Sequence, residues 1–338
     1  MPSGDFMNSN NNPLLEVRGL VTEFSLEHGV IAANADVHIR VRAGETLGIV
    51  GESGSGKSVL CRAILRLIPS PPGLISAGEV LFDGTDLLAL SEAEMRRVRG
   101  TRIKMVFQNP MTSLNPVRRI GDQITEGLSV HYGMGKAEAR AEGVELLRRV
   151  GIPSPETRVR EYPHQWSGGM LQRAVIAMAM AGEPQLLLAD EPTTALDVTI
   201  QDQILALLLE LQERTHMAML LVSHDLAVVA ETCDQVAVMY AGRIMESAST
   251  KALFEAPMHP YTVGLMNSIP DMAGTAARLV PIPGQPPDLL HLAPGCPFAP
   301  RCVHASPDCA ETPIALSEIA PGHHTACLHP ERISAGAS

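Results

Sequence analysis

Residues 51–58 read GESGSGKS, and this segment narrows the possible folds more than any other part of the chain. A glycine, four residues and then Gly-Lys-Ser cradles phosphate where it follows a β-strand and opens an α-helix. Both flanks fit here. The preceding run, TLGIV, is apolar enough for a buried central strand, and helical periodicity begins after Lys57. Gly51, Gly54 and Gly56, with Glu52, Ser53 and Ser55 between them, let the backbone turn successive N–H groups inward on phosphates. Lys57 is expected to reach the β- and γ-phosphates of a nucleotide, and Ser58 to bind its Mg²⁺ ion. A chance Gly/Ser turn would share the letters but not the flanks.

The pattern around the loop predicts an α/β core. Between residues 14 and 50, short alternating runs such as LLEVRGLVTEF and VHIRVRAGETLGIVG read as strands and turns. GEVLFDGTDLL reads as an edge hairpin, and Ser91 with Glu94 stands at capping-box spacing before a short helix. Residues 117 to about 162 are charged and helical, which predicts an inserted helical subdomain, taken to extend over about 117–182. QLLLADEP and AMLLVSH have the apolar density of parallel strands covered on both faces, with an amphipathic helix from Val198 to about Glu213 between them. Beyond Ala256 proline becomes frequent, and the tail over 257–338 is expected to be a loop-rich appendage rather than a continuation of the sheet.

Composition excludes several classes. With 338 residues, 45% of them hydrophobic, the chain can bury a large core, so one large domain over 14–256 with appendages is expected. A formal net charge of -11 offers no basic footprint for nucleic acid. No apolar run approaches the ~20 residues that cross a bilayer. Residues 1–13, MPSGDFMNSNNNP, lack a basic start and an apolar core, and read as a disordered leader in a cytosolic protein. In that compartment the six cysteines are expected to be thiols or metal ligands.

In LLLADEP, Asp190 and Glu191 fall at the end of a buried strand, where adjacent carboxylates are unfavourable without a cation or a proton. Alone they could be a strand-end turn. Downstream of a phosphate loop, Asp190 is expected to hold Mg²⁺, directly or through water, and Glu191 to act as general base on the attacking water. WSGGMLQR, residues 166–173, stands just ahead of this strand, and here the chain resembles the ABC ATPase family. The resemblance implies a P-loop NTPase core with an antiparallel β-subdomain, an inserted helical subdomain and a Cys-containing tail. Ser167, Gly168 and Gly169 would present N–H groups to the γ-phosphate of a nucleotide held by a second ATPase subunit. Gln108, in KMVFQNP, would sense Mg²⁺ and water, His224, in LVSHD, would contact the γ-phosphate, and Asp197, in TTALD, would link the two sites. Taken singly, Gln108 and His224 would read as satisfied polar residues at strand ends. Phe24 would stack on adenine, or else simply belong to the core.

FQNPMTSLNPV, YPHQWSGGM, HPYTVGLMNSIP and PIPGQPPDL extend the resemblance to the peptide-importer ATPases, over nearly the whole chain after residue 14. Trp166 and Leu171 depart from the usual Phe and Arg. The resemblance implies an ATP- and Mg²⁺-dependent motor at the cytoplasmic face of the inner membrane. Its partners would be a second, different ATPase subunit, two permease subunits and an external binding protein. Soluble ABC ATPases of DNA repair or translation would need long coiled-coil insertions or a second cassette, and a regulatory ATP binder would have no use for Glu191. Nickel and glutathione importers use similar motors.

Cys296, Cys302, Cys309 and Cys327 supply four thiols in the tail, enough for an iron–sulfur cluster or Zn²⁺. The subfamily's tail resembles one that carries a 4Fe–4S cluster. Zn²⁺, with His304, His323, His324 and His329 as further ligands, and free thiols are the alternatives. Structural stapling is the plainer role for a cluster and redox or iron sensing the sharper one. Cys61 and Cys233 read as small core residues.

Overall fold

The computed structural model describes residues 12–194, 196–268 and 281–334. Of the expected leader, all but the last two residues lie outside these, as do the last two residues of HPYTVGLMNSIP. β1 (Leu15–Leu26) and β2 (Gly29–Val41) form an antiparallel hairpin. In DVHIRV the apolar Val37, Ile39 and Val41 are buried while His38 and Arg40 face solvent, the period of a strand covered on one face. β3 (Thr46–Val50) leaves this hairpin for a second sheet. β4 (Gly73–Phe82) and β5 (Thr85–Asp86) complete an antiparallel sheet in the order β2-β1-β4-β5.

The second sheet has eight strands. β6 (Ile103–Val106), β7 (Leu186–Asp190), β8 (Ala218–Ser223) and β9 (Gln235–Tyr240) join β3 in a parallel array. β10 (Arg243–Ser249), β11 (Ser317–Ala320) and β12 (His323–Thr325) extend it antiparallel, giving the order β11-β12-β10-β9-β3-β8-β7-β6. TLGIV, LLLAD and AMLLVS are buried at every position, as strands covered on both faces must be. The helix Lys57–Ile64 inserts Leu60 and Ile64 into the core shared by the two sheets, with Leu15, Val37, Ile49 and Phe82. Each such burial contributes roughly 1.5–3 kcal/mol.

The helix Glu92–Thr101 starts at the expected capping box, with Ser91 and Glu94 satisfying each other's backbone N–H groups. Helices Ile120–Tyr132, Lys136–Arg149 and Gly168–Met180 surround a separate core that includes Ile124, Leu128, Leu147 and Val175. Trp166 and Leu171 both pack in this core, and the indole N–H of Trp166 donates to Glu161 Oε2 at 2.8 Å.

The tail departs from expectation. It is loop-rich, but it does continue the sheet, because β12 pairs with β10 and β11 with β12. The reason is the outer edge of β10, whose polar groups would otherwise lack strand partners. Ala326 N donates to Met245 O at 2.8 Å there. Glu246 of β10 has no solvent exposure, and its Oε1 lies 2.8 Å from His323 Nε2 of β12 and accepts from Met258 N at 2.6 Å. Among the described residues, Glu246 Oε2 has no hydrogen-bond partner. Replacing His323 by Ala leaves this carboxylate buried with less compensation and is expected to cost about 3 kcal/mol in denaturant unfolding. A loss of under ~1 kcal/mol, the size of an exposed pair, would mean that the tail docks without the pair.

Candidate functional site

The phosphate-loop segment follows β3 directly and wraps the start of the helix Lys57–Ile64. Gly51 has φ 152°, and a Cβ there would lie 2.1 Å from Met239 O. Gly56 has φ 104°, and a Cβ there would lie 2.2 Å from Ala33 O. Both positions therefore require glycine. The loop is fastened by Ser55 O, which accepts from Gly242 N at 2.9 Å, and by Gly56 O, which accepts from buried Asn34 Nδ2 at 3.1 Å. Lys57 Nζ donates to Gly51 O at 2.8 Å, Glu52 O at 3.0 Å and Ser55 Oγ at 3.4 Å. Burial pulls its pKa below the ordinary lysine value, against the nearby carboxylates of Glu191, Asp190 and Glu52.

Ser58 Oγ donates to Asp190 Oδ1 at 2.7 Å, joining the loop's helix to the end of β7. Asp190 is 1% exposed, and burial raises its pKa although Ser58 opposes the shift. Glu191 follows in a left-handed conformation, φ 46°. Its Oε2 accepts from Gln108 Nε2 at 2.8 Å and Thr194 Oγ1 at 2.8 Å, and lies 3.6 Å from His224 Nδ1. Gln108, Glu191 and His224 thus meet just beyond β6, β7 and β8, which are neighbours in the sheet. A carboxylate held by two neutral donors and a nearby imidazole can take a proton from water. Thr194 was missed in the sequence. Its signal is the spacing in EPTT, which puts a hydroxyl three residues after Glu191.

The other expected residues are not gathered there. Ser167 caps the helix Gly168–Met180, its Oγ accepting from Met170 N at 3.4 Å. Gly168 and Gly169 lie against Leu196 and Ile200. Among the described residues, none of these three shares a hydrogen bond with the phosphate loop. Asp197 is the N-cap of the helix Val198–Thr215, but its side chain accepts no capping bond. Phe24 is half-buried on β1 beside Gly73.

Cys296, Cys302, Cys309 and Cys327 line one cavity with His259, His304 and His329. Burial, with the neighbouring thiols adding, pushes Cys296 and Cys327 up to about 11. His259 Nδ1 accepts from Tyr261 N at 3.0 Å, so Nε2 carries the ring proton of the neutral imidazole, and among the described residues that buried N–H has no partner. Of the four histidines considered as further ligands, His304 and His329 reach the cavity, whereas His323 is engaged by Glu246. His329 Nε2 also lies 2.7 Å from Asp308 Oδ2. Among the described residues, the one set of three ligand atoms within 4.8 Å of one another is Asp308, Cys309 and His329. The four sulfurs are not drawn to the spacing of a single tetrahedral ion, whose Zn–S bonds are ~2.3 Å. Cys61 and Cys233 are buried in the core, as expected, and burial pushes Cys233 up to about 12.

Among the described residues, no helix is long and apolar enough to cross a membrane. Residues 35–194 match the family model of the ABC transporter, and residues 245–309 match that of the oligopeptide/dipeptide transporter, C-terminal region. The chain is 53% identical to a probable peptide ABC transporter ATP-binding protein of Sinorhizobium fredii, over 95% of this chain and 97% of that one. It is 48% identical to the oligopeptide transport ATP-binding protein OppD of Salmonella typhimurium, over 94% of each. Among solved structures it resembles MJ0796, described as a dimeric bacterial ABC transporter cassette, with a TM-score of 0.63 and 28% identity over 70% of this chain and 98% of that one.

The buried Asp190 carboxylate gives a pH-dependent expectation. Because its folded-state pKa lies above the ordinary 3.8, the folded chain holds this proton to higher pH than the unfolded chain does. Asp190 therefore adds stability as pH falls through the raised value toward 3.8. Asp190→Asn is expected to stabilise the nucleotide-free chain at neutral pH and to flatten that gain, as read by urea unfolding at pH 7 and at lower pH. A variant less stable than its parent at pH 7 would contradict the buried-charge account.

Proposed function

The chain belongs to the ATP-binding subunits of ABC transporters, in the branch with the oligopeptide/dipeptide transporter C-terminal region, and on that premise we propose how its residues work. It is the ATP-hydrolysing subunit of a peptide importer. The loop from Gly51 to Ser58 holds the nucleotide phosphates, with Lys57 exchanging loop carbonyls for β- and γ-phosphate oxygens. Ser58 and Asp190, already joined at 2.7 Å, hold Mg²⁺ with Gln108. Mg²⁺ held there would offset the phosphate charge, and as its ligand Asp190 would keep an otherwise unfavourable buried charge.

Glu191 is the general base, and the observation that carries this reading is its carboxylate's convergent partners, Gln108, Thr194 and His224. Its proton then leaves toward His224, which also contacts the γ-phosphate. Phe24 stacks on adenine. Ser167, Gly168 and Gly169 act on the nucleotide of a second ATPase subunit, in line with their lack of bonds to this chain's own loop and with the dimer described for MJ0796. Asp197 links the two sites. The second subunit is a different chain, and both dock at the cytoplasmic face of the inner membrane on two permease subunits served by an external binding protein.

Cys296, Cys302, Cys309 and Cys327 hold a 4Fe–4S cluster, which staples the tail. One cavity lined by all four thiols, whose sulfurs do not come to the spacing of a single tetrahedral ion, supports a cluster over zinc.

Glu191→Gln is expected to lower ATP turnover at least ~100-fold while ATP binding persists. Undiminished turnover would remove Glu191 from the mechanism. In cells, Lys57→Ala is expected to abolish uptake of a labelled dipeptide or longer peptide, and unchanged uptake of both, with no compensating motor, would redirect the cargo to nickel or glutathione. For the tail, iron and sulfide assays on anaerobically purified protein are expected to give roughly four of each per chain. One zinc per chain would replace the cluster with an ion.

A further inference from the structure

Arg301 ends the short turn Ala299–Arg301 in the tail, between Cys296 and Cys302. Its guanidinium meets the second residue of the phosphate loop, 249 positions away in sequence. Nη1 donates to Glu52 Oε2 at 2.6 Å and Nη2 to Glu52 Oε1 at 3.0 Å. The other donors go to Pro283 O at 2.8 Å, Tyr240 Oη at 3.1 Å and Ile282 O at 3.5 Å, so all five N–H groups of the fork have acceptors. The Arg301 side chain is 5% exposed and that of Glu52 27%. From the same tail, the hydroxyl of fully buried Tyr261 accepts the backbone N–H of Glu52 at 2.8 Å. The tail thus holds Glu52 by both its side chain and its backbone.

Glu52 in turn holds the rest of the loop. Its carbonyl accepts from Lys57 Nζ at 3.0 Å and from Ser55 N at 3.2 Å. Its carboxylate is also close enough to Lys57 to act on the ammonium. A bare carboxylate at that place repels an incoming polyphosphate, whereas one paired with a guanidinium does not.

We propose that Arg301 is a positioning residue for ATP binding: it fixes the phosphate loop through Glu52 and neutralises the Glu52 charge beside the triphosphate. This rests on the reading of residues 51–58 as the phosphate site. The state of the tail is thereby felt at the nucleotide, and ATP affinity depends on the docking of this lobe.

The test is ATP affinity of the full chain, with a fluorescent ATP analogue and Mg²⁺, alongside the thermal midpoint of each variant. Arg301→Gln is expected to weaken binding about tenfold, the size of a lost charge-assisted bond. Adding Glu52→Gln removes the bared charge and is expected to restore affinity to within about threefold of the parent. A purely structural role predicts no rescue, since the second substitution removes a further contact. An unchanged Kd for Arg301→Gln, or a double variant that binds no tighter than the single one, overturns the proposal. If Arg301→Gln does not fold, Arg301→Lys keeps the charge but loses the fork. It is expected to bind about threefold more weakly, and an unchanged Kd again overturns the proposal. Lys57→Ala separates the two readings: if it keeps full ATP affinity, the phosphate-site assignment falls and this inference falls with it.

Discussion

The level register of the parallel strands is the constraint on which the rest of the site depends. Val50 of β3 pairs with Ser223 of β8, Val222 of β8 with Asp190 of β7, and Ala189 of β7 with Val106 of β6. All four strands therefore end at one height. Gly51, Glu191, His224 and Gln108 follow these ends within two residues, so no long loop is needed to bring them together. Shifting one strand by a single residue would turn its buried side chains to the other face as well as displacing its contribution to the site. The apolar density that makes TLGIV, LLLAD and AMLLVS pack on both faces also fixes where the chemistry sits.

That economy explains why so much was legible in advance. Lys57 and Ser58 open the helix that follows TLGIV and Asp190 and Glu191 end LLLADEP, so period, burial and end-point, all local properties of the text, pointed to them, whereas Gln108 and His224 were reached through the family resemblance. The Ser91–Glu94 box is local too, with its two halves three residues apart. What escaped is non-local. β12 is a three-residue strand, and β11 is exposed at every position, so neither shows an apolar period. Their place on the sheet comes from the edge of β10 and the Glu246–His323 contact, across 77 positions. His259 caps the helix Pro260–Asn267, and nothing in the sequence around it indicates that it also lines the thiol cavity.

Two buried charges in the site show different compensation. Asp190 is close to one hydroxyl donor and has a raised pKa, which suits the proposed role of a cation ligand. Arg301 has every donor filled, and its pKa is raised chiefly by Glu52. A fully satisfied ionic network in a protein interior holds one arrangement, whereas a partly satisfied one is ready to change partners. The first kind secures the loop to the tail, and the second lies at the proposed Mg²⁺ and phosphate site.

The tail's contribution follows from this division. The rings of Tyr240, Tyr261 and Phe298 meet tilted and edge-on, with centroids 4.5–5.5 Å apart, and the Arg301 guanidinium lies 5.8 Å from the centroids of Tyr240 and Phe298. Phe298 comes from the thiol lobe, Tyr240 from the central sheet, and Tyr261 from the helix Pro260–Asn267. Aromatic contacts of this kind add about 0.5–1.5 kcal/mol each beyond area burial, and the arginine depends on them for its orientation. Cys302 is the next residue along the backbone, and its N–H donates to Ala299 O within the same turn. Whatever holds the thiols in place therefore also holds Arg301. A cluster at those thiols would stabilise the phosphate loop through a path of packed rings and a single ion pair.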